Sequence, residues 1–291
     1  MLRAVDLRPH RFLIPWKVKN LIRLGNDKDG GYVVDEIGAK SASHLFSFGL
    51  GNNVTFERDF IKINEKAPVL CYDHTTRRPS LFILLRIVLV SLVKVIFYFI
   101  ISVAHLLKHD SVEKVAHFKK QIMDRFEITI DYIELYKTYT NENFTHIKKR
   151  VVNQEIQLED KGKVSLNAIV KEHKPERVFI KIDIEGDEYL LLEQLKTRRN
   201  SISGLVIEFH DISKNFKLIE DFVESIRSDL ILIHIHANNG SNLNEFGLAE
   251  VMELTFANSN LCVPNEYVDE LPNDLLDFPN SKNHVDFQYL I

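Results

Sequence analysis

Between residues 44 and 256 the chain alternates short, β-branched apolar runs with stretches of helical periodicity. The runs Leu45–Phe48, Val69–Tyr72, Ile147–Val152, Val178–Ile182, Gly204–Phe209, Leu230–His236 and Val251–Phe256 predict strands. Helical patterns cover 55–65, 81–125, 165–173, 187–199 and 216–227. Several of the strand runs are apolar throughout, as expected where helices cover both sheet faces. The alternation predicts an α/β fold with a doubly wound, seven-stranded, mostly parallel sheet. The last strand follows the sixth after only a loop, so one antiparallel strand is expected. The domain proper is expected over 41–262, with a helical insertion at about 77–145 between strands two and three. Residues 1–40 predict an N-terminal arm or small helical cap. The Asp/Asn/Pro-rich stretch 263–291 predicts a tail that wraps the surface irregularly.

The insertion opens with an unusual segment, Leu81 to Leu107, apolar in all but a few positions. As a helix it reaches about 40 Å, enough to span a bilayer. Two features oppose a span. Arg86 and Lys94 would each cost about 2.5–3.5 kcal/mol at the bilayer centre. The segment also lies between two strands of one sheet, and a single crossing would leave half of that sheet on each side. On a helical wheel Arg86, Ser91, Lys94, Ser102 and His105 gather on roughly one side. Arg77 and Arg78 precede the segment, and Lys108, Lys114, Lys119 and Lys120 follow. Two readings stay open: peripheral contact of 81–107 with a membrane surface, or packing on the core or on a second subunit.

Charge sharpens this picture. The chain carries a formal −4, but residues 76–125 hold nine Lys/Arg against three Asp/Glu, a local +6 that leaves −10 on the rest. An acidic body without a basic groove pattern argues against nucleic acid as a partner. The two cysteines, Cys71 and Cys262, have no metal or redox spacing and suit a reducing compartment. The N-terminus lacks the apolar core of a signal peptide. A cytoplasmic protein is expected, with the inner membrane face as an alternative address.

The candidate chemistry begins where the first predicted strand ends, in Phe48-Gly49-Leu50-Gly51-Asn52-Asn53. Glycines there let a backbone approach a ligand closely. The second strand ends in Tyr72-Asp73-His74, with Asp73 placed 22 residues beyond Gly51. An acid at about that spacing can accept the two hydroxyls of an adenosine ribose. Val54 occupies the position of the third glycine of a dinucleotide fingerprint, which speaks against NAD and FAD. S-adenosylmethionine has the adenosine without the pyrophosphate and fits the pattern better. Gly49, Gly51, Asn53, Asp73 and Asp183 are therefore the candidate cofactor residues.

The densest chemistry is Phe179 to Tyr189, where a strand ends abruptly in carboxylates around Gly186. Alternation places Asp183 and Glu185 on one face, at the carboxyl end of a strand, where open α/β sheets bind ligands. Asp187 is positioned to cap the helix that follows.

In order along the chain, these segments resemble the FkbM-type methyltransferases, S-adenosylmethionine-dependent enzymes of the Rossmann-like class. The resemblance rests on Asp29-Gly30-Gly31-Tyr32-Val33, Phe46 to Asn53, Lys181 to Tyr189, Gly204 to His210, His234 to Asn239, and Glu253-Leu254-Thr255-Phe256. It covers residues 23 to 256, with no recognisable motif in 77–145. It implies methyl transfer, usually to oxygen, with a carbohydrate or glycoconjugate acceptor and a place in surface-polysaccharide synthesis.

A sugar hydroxyl needs a base, and histidine titrates near neutrality. His210 is the first candidate and His236 the second, with Asp183 orienting the base or the acceptor. Glu185 can do the same, and Asn238 and Asn239 can bind acceptor hydroxyls. Asp183, Glu185, Glu208, His210, His234 and His236 are donor types for a divalent metal, but no local ligand spacing supports one. Asp29 to Tyr32 reads either as a glycine turn with a half-buried tyrosine or as a lip over the cofactor. Arg23 is a candidate for the methionine carboxylate. A membrane-facing helix at 81–107 would suit a lipid-linked sugar. Two other functions remain: an inactive scaffold that binds a membrane surface, and a NAD-dependent Rossmann oxidoreductase, which Val54 opposes.

Overall fold

The computed structural model describes residues 3–51, 53–107, 112–153, 162–264 and 266–291. Its strands in chain order are β1 (Ala4–Asp6), β2 (Leu21–Leu24), β3 (Tyr32–Asp35), β4 (His44–Phe48), β5 (Val69–Tyr72), β6 (Phe144–Ile147), β7 (Arg150–Val152), β8 (Lys163–Ser165), β9 (Val178–Ile182), β10 (Ile202–Phe209), β11 (Leu230–Ala237), β12 (Met252–Asn258) and β13 (Gln288–Leu290). The helices are α1 (Glu36–Ser41), α2 (Thr55–Ile63), α3 (Leu81–Leu107), α4 (Val112–Tyr139), α5 (Leu166–His173), α6 (Leu192–Arg198) and α7 (Ile212–Ile226). A seven-stranded sheet runs in the order β11-β12-β10-β9-β4-β5-β6. All pairings in it are parallel except those of β12, which lies antiparallel between β10 and β11.

The chain divides into two compact units, residues 1–76 with 143–291, and residues 77–142. The first is organised around the sheet. Strands β4, β5, β9, β10, β11 and β12 are buried almost throughout, which is why their sequences read as continuous apolar runs. Helix α7 shows the usual opposite pattern, burying Ile212, Ile219, Phe222, Val223 and Ile226 and turning its charges outward. Phe209, Phe222 and Phe256 meet edge-on beneath it.

Three expectations need correction. The third sheet strand is β6, not Ile147–Val152; the latter run straddles the end of β6 and the separate β7, which pairs with β8. The pattern 81–125 is not one helix but parts of two. The first 40 residues are not a helical cap: the described ones hold β1, a single 3-10 turn at Arg11–Leu13, the hairpin β2–β3 and the start of the short helix α1, capped by Asp35.

The tail is likewise built in rather than loosely wrapped. Strand β13 pairs with β1, and Phe287 is fully buried. His234 and His236, on one face of β11, meet carboxylates of this tail. His234 Nε2 lies 2.9 Å from Asp277 Oδ1, off-line for a hydrogen bond, with both side chains almost fully buried. His236 sits between Glu253 at 3.7 Å and Asp286 at 3.6 Å. Burial pushes the His236 imidazole down, but those two carboxylates outweigh it and hold it up at about 10. The second candidate base is thus a buried, charged clamp.

Helices α3 and α4 pack along each other, with Tyr98 and His105 of α3 against Phe118 of α4. Helix α3 is long and apolar enough to cross a membrane by length and composition, and little of it is buried. Helix α4 carries Asp124, Arg125, Glu127 and Asp131 in its middle. Lys108 lies outside the described residues.

His234→Ala would take from the almost fully buried Asp277 carboxylate the imidazole beside its Oδ1 and is expected to lower stability by about 1–3 kcal/mol, read by urea denaturation. A loss within error of zero would show that Asp277 does not depend on His234.

Candidate functional site

At the carboxyl edge of the sheet, β4 ends in the glycine loop and β9 ends in Asp183. Gly49 has φ +82°, and a Cβ there would lie 1.6 Å from the Asp183 carbonyl oxygen. Only glycine lets these two strand ends approach. Gly51 has φ +53°, and a Cβ there would meet nothing within 4 Å. The two glycines therefore differ in purpose: Gly49 closes the backbone, and Gly51 leaves open space beside the cavity. Lys181, 4% exposed, donates to the Gly49 carbonyl at 2.7 Å and sits 3.5 Å from Asp183. Its ammonium also lies 5.5 Å from the centre of the Tyr32 ring. Burial pushes it down, but Asp183, Glu57 and Glu208 more than offset this and raise it.

Asp73 is less available than its spacing suggests. One oxygen accepts from the backbone N–H of Leu50 at 2.9 Å and Gly51 at 3.0 Å and from the Thr76 hydroxyl. The other accepts from Thr75 N, Thr75 Oγ1 and Thr76 N. Burial pushes its carboxyl up, but the Thr75, Leu50 and Thr76 hydrogen bonds outweigh it and hold it well below the usual carboxylate range. Asp73 thus pins the glycine loop, and a ribose can use it only by displacing the threonine hydroxyls.

The hairpin loop leans on the same edge. Asn53 accepts from Thr55 N at 3.0 Å and donates to the Asp29 carbonyl at 3.0 Å. Asn52 lies outside the described residues. Tyr32 is not half-buried but 1% exposed. Its hydroxyl lies 3.1 Å from Asp183 Oδ2 and 3.2 Å from Glu208 Oε2. Glu208 also accepts from Asn238 Nδ2 at 3.2 Å. Burial, then the charges of Asp183 and Glu253, push the Glu208 carboxyl well above the ordinary carboxylate range.

His210 follows β10. Its backbone N–H donates to Glu188 Oε1 at 2.7 Å, and its Nδ1 lies 3.2 Å from the same oxygen. Glu188, fully buried, also accepts from Gly186 N at 2.8 Å. The carboxylate fixes the ring so that Nε2 faces Glu185, 3.5 Å away. Burial pushes the imidazole down, but the Glu188 hydrogen bond and the charges of Glu188, Glu208 and Glu185 hold it up at about 9.

Two cavities, each of about 340 Å³, open here. Gly49, Gly51, Asn53, Asp73, Lys149 and Arg150 line the first. Glu208, His210, Asn238 and Ser241 line the second. Asp29, Asp183 and Glu185 belong to both, so the two meet at one acidic wall. Asp183, Glu185 and His210 can also bring ligand atoms within 4.8 Å of one another. This is a donor set that no local spacing revealed, although Lys181 already supplies a cation beside Asp183.

Three candidates fall elsewhere. His236 lines neither cavity. Asn239 is buried and donates to the Ser281 and His284 carbonyls, holding the tail. Arg23 is spent on the carbonyls of Asn26, Leu276 and Lys28. Asp187 does not cap a helix; it pairs with Arg150 at 2.7 Å. The sequence reading missed Glu188 as the partner of His210. Its signal was a buried acid, in a carboxylate run, facing the next strand end.

The strand order with one antiparallel strand is that of a Rossmann-like, doubly wound α/β fold. No protein-family profile and no curated protein matches the chain, so the FkbM-type resemblance is not confirmed. Solved structures similar to it include precorrin-6Y C5,15-methyltransferase from Geobacter metallireducens, at 10% identity over 76% of this chain and 84% of that one, TM-score 0.32. A predicted O-methyltransferase from Agrobacterium tumefaciens is 12% identical over 76% and 78%, TM-score 0.31. The aminoglycoside resistance methyltransferase NpmB1 is 11% identical over 81% and 100%, TM-score 0.29. Likenesses this slight carry no argument about function, and the reading below rests on the residues.

The two glycines can be separated by experiment. Gly49→Ala is expected to cost at least about 2 kcal/mol through the clash with Asp183. Gly51→Ala should cost only the left-handed strain, about 1–2 kcal/mol. Equal losses in denaturant melts would contradict this division.

Proposed function

We propose that this chain is an S-adenosylmethionine-dependent methyltransferase that acts on a hydroxyl, with a sugar of a polysaccharide or glycoconjugate precursor as the acceptor. The observation that carries the reading is the pair of cavities sharing the wall of Asp29, Asp183 and Glu185. One holds the glycine loop and the other the His210–Glu188 pair.

The residues fit such a cofactor on two counts. The space beside Gly51 is open, and the acidic wall suits a cation such as a sulfonium. The first cavity, with Gly49, Gly51, Asn53 and Asp183, would hold it, while Asp73 sets the loop. When bound, it supplies a methyl group already activated for displacement. The chain's own part is to orient the acceptor and remove its proton. Asn238 faces the second cavity and can hydrogen-bond acceptor hydroxyls. His210 Nε2 takes the hydroxyl proton, and Glu188 keeps the ring in the productive tautomer. Asp183 touches both cavities and orients the acceptor oxygen toward the first. The FkbM-type motifs support a sugar as that acceptor.

A base must be neutral to act, and His210 is held up at about 9 in the free enzyme. The kcat/KM is therefore expected to rise with pH through the 7–9 range and level off above about 9. Transfer of labelled methyl to a panel of glycans and lipid-linked sugars tests the reading. His210→Gln should lower the rate by about 10²–10⁴-fold and remove the inflection while leaving cofactor binding intact. A profile that falls with pH through this range, or a His210→Gln variant with full activity, would remove His210 as the base.

His210 also links pH to folding. Its folded pKa lies above the unfolded value of about 6.5, so its stabilising contribution is complete below about 6.5 and is lost as pH rises through about 9. His210→Gln should narrow the stability difference between pH 6 and pH 9.5 in denaturant melts. An unchanged difference would contradict the Glu188 pairing.

A further inference from the structure

Helix α3 is built inside out. On an ordinary surface helix the apolar stripe is covered and the polar stripe faces water. Here the covered side includes most of the helix's polar residues, beside Leu84, Ile87 and Val95. Ser91 is 6% exposed, and Lys94, Tyr98, Ser102 and His105 are half-buried on the same stripe. Tyr98 and His105 rest on Phe118 of α4. The opposite side is open and apolar: Phe82 is 76% exposed, Leu89 62%, Phe99 62% and Ile100 61%. Arg86 departs from the wheel expectation, lying exposed in the second turn rather than in the covered stripe. Polar groups turned toward a neighbouring helix and apolar groups turned outward are the arrangement that a lipid environment requires.

We propose that α3 seats this chain on an anionic lipid surface, lying in the interface with its open apolar side in the acyl boundary. Two observations choose the lying position. Residues 77–142 connect β5 to β6, which are neighbouring strands of one sheet, so both ends of the connection must lie on the same side of a bilayer. Its returning leg, α4, is too charged at Asp124, Arg125, Glu127 and Asp131 to accompany α3 through the hydrocarbon. Charge chooses the occupant. Residues 76–125 carry +6 on a chain whose remainder carries −10. Arg77, Arg78, Lys119 and Lys120 are exposed. Such a surface is drawn to anionic headgroups, whereas a second copy would bring a like charge to the same face. Arg86 can reach headgroups from the apolar side by extending along its stem.

The proposal does not rest on the reading of the sheet-edge site, and its test needs no cofactor or acceptor. Full-length protein is floated with vesicles of phosphatidylcholine alone and with vesicles containing phosphatidylglycerol. It is expected to co-float with the anionic vesicles at least tenfold more than with the neutral ones, and to be released as salt rises. Leu89→Glu with Phe99→Glu should abolish flotation. Lys119→Glu with Lys120→Glu, exposed positions that leave the apolar side intact, should weaken it severalfold and keep the wild-type circular dichroism. Vesicle-free sedimentation reports the alternative occupant. Absence of co-flotation with anionic vesicles overturns the proposal. So does a wild-type dimer that Leu89→Glu with Phe99→Glu disperses and that does not float.

Discussion

One buried ammonium organises the sheet edge. Lys181 reaches from β9 to the carbonyl of Gly49, stands beside Asp183 and lies against the ring of Tyr32. Its charge also acts on Glu57, which is fully buried and accepts from Ser47 at 2.6 Å. Carboxylates cannot be gathered in a low-dielectric site without a counter-charge or a proton. Lys181 supplies the charge nearest Asp183, and the Glu208 carboxyl is pushed well above its usual range. The wall shared by the two cavities is consequently acidic enough to receive a cation and organised enough not to collapse.

That proton pattern connects stability to chemistry. The Glu208 carboxyl is pushed well above its ordinary range, and His210, held up at about 9, is protonated at pH 7. Burial and neighbouring carboxylates raise Glu208, whereas the carboxylates raise His210 against its burial. A cation bound at the shared wall would lower the His210 pKa by direct repulsion and bring the base closer to readiness. Asp73, by contrast, is fully committed to holding the glycine loop. The glycine-loop end of the edge is thus rigid, and the His210 end titrates.

Much of this was legible in the sequence. Buried strands such as Val178–Ile182 read as unbroken apolar runs because both faces are covered. The glycine loop, Asp183, Glu185 and His210 were legible because strand ends of one sheet converge whatever lies between them. What failed was set by tertiary partners. The hairpin β2–β3 has its φ-positive turn at Gly25 and Gly30, but its short strands gave too little periodicity to register. His236 and Asn239 carry the same donor groups as His210 and Asn238, yet the tail covers them, and only Asp286, Glu253 and the Ser281 segment decide that. Glu188 is three residues from Glu185 in one acidic run, and its burial beneath His210 is a fact of packing.

The α3–α4 unit interrupts the sheet between adjacent strands, a position that a connection of almost any length can occupy without altering strand register. The proposed lipid contact and the proposed chemistry therefore fall to separate parts of the chain.

The central claim is that the first cavity binds the methyl-donor cofactor, and calorimetric titration of S-adenosylhomocysteine into the purified full-length protein tests it most directly. Micromolar binding that is retained in His210→Gln and lost when Asp73→Ala releases the glycine loop is the predicted result. No binding by the folded wild type, or binding indifferent to Asp73→Ala, would contradict the account.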